Sequence, residues 1–254
     1  KKDGSLRLCC DYRKLNAKTI PDRHPLPRIQ DIIDSLGKNQ YFSLLDQTKA
    51  YHQLHIDPES RKFTAFLTPW GFYEWVRVPM GLMNAPACFQ RFMESCLGEY
   101  RDEFAMPYLD DLLIFSGSFD DHLKHVKLVL QRFKQHGIKI KATKCQLFKR
   151  EISYLGRSIS ADGYTIDPKN VEAVLSKINK KPSNITELRS LLGLVGFFRR
   201  SIPNFSQVAK PLYDILKKAD PTSKSKQPIS WTTEHQDSLN TLLTHITSPP
   251  ILAF

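Results

Sequence analysis

The chain has no run of about 18 or more apolar residues, the length a membrane-spanning helix needs. Cysteine is scarce and scattered: Cys9, Cys10, Cys88, Cys96 and Cys145 form no C-x-x-C pair. An odd count at irregular spacing excludes a fully paired disulfide frame, and no His/Cys set has zinc spacing. The five read as reduced thiols in a cytosolic setting, each a small apolar packing residue. There is no internal repeat, no initiator methionine and no signal-like leader. The chain opens on Lys1-Lys2-Asp3-Gly4, so the expectation is a piece of something longer. Acidic residues are also short: 26 Asp and Glu stand against 37 Lys and Arg, a formal net charge of +11. Such an excess suggests a polyanionic partner, most often nucleic acid, although a merely basic globular protein carries the same tally.

What is present is ordinary globular material. At 254 residues with 41% hydrophobic content, the chain can bury a full core and divide into two or more lobes. Residues 6–12 read as a short strand. Ile29, Ile32, Ile33 and Leu36 fall at helical spacing before Gly37. Tyr41-Phe42-Ser43-Leu44-Leu45-Asp46 reads as a buried strand ending in a carboxylate, followed by a short helix from Gln47. By itself Asp46 reads as well as a helix N-cap. Arg61–Leu67 and Phe72–Val78 read as strands around Thr68-Pro69-Trp70-Gly71. A helix is expected from Asn84 through Phe89, Phe92, Met93 and Leu97 to Gly98. A second is expected with Leu123, Val126, Leu130 and Phe133 on one face, closed by Gly137.

Residues 138–150 carry Lys139, Lys141, Lys144, Lys149 and Arg150 on a strand-like frame, as a solvated sheet edge does. Ile152–Ile166 reads as a hairpin turning at Ala161-Asp162-Gly163. The rest is mostly helical. Val171, Val174, Leu175 and Ile178 form one stripe, Lys180-Lys181-Pro182-Ser183 a break, and Asn184 with Glu187 a capping box. Residues 219–228 form a polar linker, and a last helix spans roughly 233–247 before Pro249-Pro250. A lobe boundary is expected near 160–167.

Two features point further. Tyr108-Leu109-Asp110-Asp111 sets adjacent carboxylates inside an apolar run. Strand alternation would send them to opposite faces, whereas a tight turn would hold both at a hairpin tip. Like charges this close disfavour each other unless a cation lies between them. A lone pair still reads first as a solvated turn. The second feature is a helix expected over Leu188–Ile202. Projected at about 100° per residue, it gathers Leu188, Leu191, Leu192, Val195, Phe198 and Ile202 on a core face. Arg189, Gly193, Gly196, Phe197 and Arg200 lie opposite. Two exposed helical glycines cost about 1 kcal/mol each, which makes sense if a backbone or ligand approaches closely. The alternative is a weakened surface helix or a helix–helix contact.

Read together, these stretches resemble the reverse transcriptases of retroviruses and LTR retrotransposons, with the gypsy-like class the nearest match. The blocks are Arg7-Leu8-Cys9-Cys10-Asp11-Tyr12-Arg13-Lys14-Leu15-Asn16, Phe42-Ser43-Leu44-Leu45-Asp46 with Ala50-Tyr51-His52-Gln53, Pro79-Met80-Gly81-Leu82-Met83-Asn84-Ala85-Pro86 with Phe89-Gln90, Tyr108-Leu109-Asp110-Asp111, and Tyr154-Leu155-Gly156. The YxDD tetrapeptide alone is weak; five blocks in this order are specific.

The resemblance implies an α+β right-hand polymerase fold, with fingers and palm interleaved over 1–160. The thumb, and the start of a segment leading to an RNase H domain, would occupy 161–254. It implies RNA-directed DNA polymerisation from dNTPs with two Mg²⁺ ions, or Mn²⁺. Asp46, Asp110 and Asp111 would be the catalytic metal-binding triad, with the Gln47 carbonyl also on metal. Lys49 and Ala50 would present backbone N–H groups to the triphosphate, and Arg7 and Lys1 would hold it by side-chain charge. Tyr51 would lie under the incoming sugar and exclude a 2′-hydroxyl. Met80 departs from the glutamine of retroviral relatives, and a thioether cannot donate as an amide does. Tyr108, Leu155 and Gly156 would face the primer. Gly193, Gly196, Phe197 and Arg200 would follow the minor groove of an RNA or DNA template–primer.

The implied setting is a cytoplasmic virus-like particle, later nuclear, with homo- or heterodimerisation through the parent polyprotein product and no membrane. Rival readings are an RNA-dependent RNA polymerase, which Tyr51 disfavours, and a silent nucleic-acid-binding subunit or relic.

Overall fold

The computed structural model describes residues 8–178, 181–218, 228–248 and 252. Lys1, Arg7, Lys180, residues 219–227 of the expected linker and Pro249-Pro250 lie outside the described residues, as do the side chains of Val174 and Ile178. The chain divides into two compact units, Lys1–Ile152 and Ser153–Phe254.

The first unit is built on strands β1 (Tyr41–Asp46), β4 (Ala105–Tyr108), β5 (Asp111–Ser116) and β6 (Gln146–Lys149), in the order β4-β5-β1-β6. All three neighbouring pairs are antiparallel. A small hairpin, β2 (Phe66–Thr68) with β3 (Gly71–Tyr73), stands apart. Helices α1 (Arg13–Asn16), α2 (Ile29–Ser35) and α3 (Pro58–Arg61) are short, while α4 (Ala85–Leu97) and α5 (Phe119–His136) pack on the sheet. Their shared core joins Leu45, Leu112 and Ile114 of the strands to Phe89, Met93, Val126, Val129 and Phe133 of the helices. Each such side chain contributes about 1.5–3 kcal/mol on burial. Pro107, which cannot donate to a ladder, lies in edge strand β4. The lysine-rich stretch supplies β6, the opposite edge.

The second unit carries β7 (Ile152–Tyr154), β8 (Arg157–Ser160) and β9 (Gly163–Ile166) in that order, with α6 (Pro168–Ile178), α7 (Ile185–Gly196), α8 (Phe205–Lys218) and α9 (Thr233–Thr247). Its core gathers Leu188, Leu191, Leu192, Val195, Phe198 and Ile202 with Leu212, Leu239, Leu242 and Ile246. The expected core face of 188–202 is the buried one. Asn184 Oδ1 accepts from the Glu187 N–H at 3.0 Å, and the Glu187 carboxylate accepts from the Ser183 N–H at 2.8 Å. The cap therefore forms with the return bond shifted one residue outward.

Several expectations fail for local reasons. Residues 8–12 are not a strand, because no strand among the described residues lies beside them to share a ladder; Asp11 instead grips Arg13 at the start of α1. Residues 61–67 give helical turns over Pro58–Arg61 and Lys62–Thr64 before a short β2, since Pro58 pre-sets the first helical position. Residues 72–78 give only the short β3. The helix after Asp46 is a 3₁₀ turn, Ala50–Gln53. Helix α7 stops at Gly196, and Arg199–Ser201 is a 3₁₀ turn, because Pro203 forces Ile202 into an extended conformation. On α5 the buried face is His122, Val126, Val129 and Phe133, while Leu123 and Leu130 are exposed. The helix is rotated because Ser43 and Ser116 hydrogen-bond the two ring nitrogens of His122, at 2.7 and 2.8 Å. All five cysteines are free, yet only Cys96 is fully buried; Cys9 and Cys88 face solvent rather than packing.

Candidate active site and nucleic-acid surface

In the first unit the register of β1 on β5 runs from Tyr41↔Ser116 to Asp46↔Asp111. Asp46 and Asp111 thus stand opposite each other at the sheet's end, where directly paired residues have Cβ atoms about 4.5–5.5 Å apart. Tyr108↔Asp111 closes the β4–β5 hairpin, leaving Leu109-Asp110 as a two-residue turn. Asp110 is exposed at the tip and Asp111 is half-buried at the base.

That turn is held from below. Leu109 adopts φ +56°, which costs a non-glycine residue about 1–2 kcal/mol. Gln90 of α4 is 1% exposed. Its Oε1 accepts from the Leu109 N–H at 3.0 Å, and its Nε2 donates to the Pro107 carbonyl at 3.0 Å and the Glu94 carboxylate at 3.0 Å. One buried amide therefore fixes both sides of the aspartate turn.

The electrostatics of the three acids favour an added cation. The Asp111 carboxyl is pushed up to about 6, first by burial and then by the charges of Asp110 and Asp46, with Lys144 opposing. The Lys144 Nζ donates to Asp46 Oδ2 at 2.9 Å, and its own pKa rises in response. An ammonium of the chain itself thus sits on one of the acids. Lys144 is brought there because the Lys141 N–H donates to the Asp46 carbonyl at 2.9 Å and the Gln53 amide clips Lys139, carrying the 139–144 segment past the end of β1. Among the described residues, no three His, Cys, Asp or Glu side chains form a ready metal cage. The donor set still suits Mg²⁺, which takes one or two carboxylates and fills the remainder with water and substrate phosphates.

Asp46 and Asp110 open onto a cleft of about 970 Å³, whose walls also carry the cations Lys49, Arg77, Lys141 and Lys144. Ala50, Tyr51 and Met80 line it too. Lys49 holds a left-handed backbone, φ +48°, immediately before the 3₁₀ turn that buries Ala50. Tyr51 packs edge-on against Phe89 at 5.7 Å, and its hydroxyl pKa is raised by burial and by the Asp110 charge. Gln47 is buried; its N–H points at the Asp110 carbonyl at 3.4 Å, and its side-chain amide has no partner among the described residues. Tyr108 is half-buried at the end of β4. Arg7 and Lys1 lie outside the described residues. Gln90 and Lys144 were visible only as members of a motif and of a lysine-rich stretch; neither position signalled its role.

In the second unit, Leu155 and Gly156 form the β7–β8 turn with φ +49° and +78°. A Cβ on Gly156 would stand 2.8 Å from the Asn170 amide, so the turn is built for glycine. On α7, Gly193 is exposed and Gly196 half-buried, and a Cβ at either would meet nothing within 4 Å. Packing inside this unit therefore does not account for these glycines. Phe197 is 53% exposed beside them, and Arg200, in the 3₁₀ turn that follows, is exposed.

The chain is similar to known proteins over most of its length. Residues 1–159 match the family described as reverse transcriptase (RNA-dependent DNA polymerase). The retrovirus-related Pol polyprotein from transposon 297 of Drosophila melanogaster is 42% identical over 212 residues, 84% of this chain and 20% of that protein. The Pol polyprotein from transposon gypsy of the same organism is 39% identical over 211 residues, 83% of this chain and 20% of that protein. The foamy viral protease-reverse transcriptase dRH, solved in complex with double-stranded DNA, superposes with a TM-score of 0.89 at 26% identity, over 100% of this chain and 43% of that one. The chain thus has an α+β polymerase fold and spans about a fifth of the length of these curated relatives.

Proposed function

The chain belongs to the reverse transcriptase (RNA-dependent DNA polymerase) family, and from that premise we propose that it is the polymerising part of a retroelement Pol polyprotein, adding dNTP-derived nucleotides to a primer 3′-hydroxyl on an RNA or DNA template. The observation that carries this is the register: Asp46 faces Asp111 across β1 and β5, with Asp110 on the adjoining tip. Residues up to about 160 act as fingers and palm, and those beyond as thumb.

When bound, a pair of Mg²⁺ ions would activate the attacking hydroxyl and neutralise the departing pyrophosphate. Asp46, Asp110 and Asp111, with the Gln47 carbonyl, are the groups that would hold them. The chain's own residues do the positioning. Lys49 and Arg77 give the cleft wall the positive charge that a triphosphate needs. The backbone of Lys49 and Ala50 cradles the same phosphates. Tyr51, braced by Phe89, floors the sugar site and selects against a 2′-hydroxyl. The protein reads duplex backbone and shape, so template–primer binding weakens steeply with salt. Leu155 and Gly156 face the primer strand, and Gly193, Gly196, Phe197 and Arg200 face the minor groove.

The test is primer extension on an RNA template with dNTPs and Mg²⁺, wild type beside Asp110→Asn. Extension by the wild type and none by the variant is expected. Template–primer binding with no extension by either protein would instead favour a silent nucleic-acid-binding subunit.

A further inference from the structure

Arg157 opens β8, directly after the Leu155-Gly156 turn. The side chain is only 8% exposed, and its Nη1 has no hydrogen-bond partner among the described residues. No carboxylate among the described residues forms an ion pair with it. Its guanidinium carbon lies 5.5 Å from the Phe197 ring centroid and 6.0 Å from that of Tyr164. Both neighbours are aromatic, so neither neutralises the charge. Burial lowers the Arg157 pKa most, Tyr164 opposes it, and the charge of Arg200 lowers it further. The Arg200 charge thus acts on an Arg157 that has no carboxylate ion-pair partner among the described residues. Buried charges are ordinarily paired, and a planar guanidinium flanked by rings keeps its N–H fork for bidentate contact with phosphate.

We propose that Arg157, with Arg200, binds a backbone phosphate of the nucleic-acid strand that passes the Leu155-Gly156 turn, and that Phe197 holds the Arg157 guanidinium in place for it. This rests on the polymerase reading given above. It adds a phosphate-binding residue to the glycine and aromatic positions already assigned to that surface. Arg157 positions the strand and takes no part in the chemical step.

The test measures binding of a fluorescent primer–template duplex across a salt series, together with thermal melting, for wild type, Arg157→Met, Arg157→Lys and Arg200→Gln. Loss of one phosphate contact should make the slope of log K against log salt less negative by about 0.9. Arg157→Met should bind about tenfold more weakly at about 0.1 M salt, a range in which such electrostatic contacts remain effective. Its melting temperature should stay level or rise, because an unpaired buried charge has been replaced by an apolar chain. A merely structural arginine would lower it. Arg157→Lys should keep the wild-type slope and lose part of the affinity, and Arg200→Gln should reduce the slope as Arg157→Met does. Wild-type slope and affinity in Arg157→Met would overturn the assignment, as would a binding loss matched by a fall in melting temperature. Failure of the wild type itself to bind the duplex would instead overturn the polymerase reading.

Discussion

Replacing Gln90 with methionine should loosen the aspartate turn without emptying the core. Methionine has nearly the same length, so little cavity forms, and the loss is confined to hydrogen bonds. The Leu109 N–H and the Pro107 carbonyl each lose the partner that Gln90 supplies at 3.0 Å. An unsatisfied buried polar group costs about 1–3 kcal/mol, so the two together should cost about 2–6 kcal/mol. For a domain of this size 1 kcal/mol shifts the melting temperature by about 2–4 °C, giving an expected fall of about 4–24 °C. Leu109 also loses the bond that offsets its left-handed backbone, φ +56°, and the turn can relax toward an unstrained form. Asp110 moves with it. A displacement of about 1 Å at a reacting centre can cost about 100-fold in rate. Single-nucleotide extension should therefore fall by at least tenfold at a temperature where the variant is still folded. A Gln90→Met protein that melts within a degree of wild type and extends at its rate would refute the role given to this amide.

Asp111→Asn should abolish extension yet stabilise the fold near neutral pH by about 2 kcal/mol, taking 1.36 kcal/mol per pKa unit and allowing for partial solvent screening. The folded carboxyl titrates near 6 rather than 3.8. Wild type therefore loses stability as pH rises from about 4 to 6, and the advantage of the variant should vanish below about pH 4. His122, held down to about 4 chiefly by burial, titrates with the opposite sign in the same window and cancels in the difference between urea melts of the two proteins. Lys144→Met should tighten Mn²⁺ binding in the absence of nucleotide, read by paramagnetic resonance, because the ammonium that competes for Asp46 is gone; unchanged or weaker binding would show that the lysine does not compete. Tyr51→Ala should admit ribonucleotides in primer extension, and equal rejection by variant and wild type would remove the sugar-gate role.

The parts of this site that were legible in the sequence are those written locally. Asp110 and Asp111 adjoin each other in an apolar run, and Asp46 closes a strand-like hexapeptide. The α7 core stripe repeats at helical spacing. What escaped depends on residues far apart in the chain. Lys144 meets Asp46 across 98 positions, and His122 meets Ser43 across 79. His122 shows why periodicity misled on α5: a neutral imidazole with both nitrogens bonded to serine hydroxyls is as good a core residue as the leucine beside it, and only the partner strands reveal this. Arg157 was hidden for a similar reason, since a single arginine after a turn looks solvated until the rings of Tyr164 and Phe197 are seen around it. The strand expected at 8–12 failed because strand composition specifies a strand only where a neighbour offers a ladder.

The most direct test of the convergent acidic site is a Mn²⁺ titration, followed by paramagnetic resonance, of wild type, Asp46→Asn and Asp110→Asn, each with template–primer and a non-hydrolysable dNTP. Both variants should lose affinity for the ion relative to wild type while still binding the duplex. Wild-type ion binding in Asp46→Asn would show that the three carboxylates do not share a cation site.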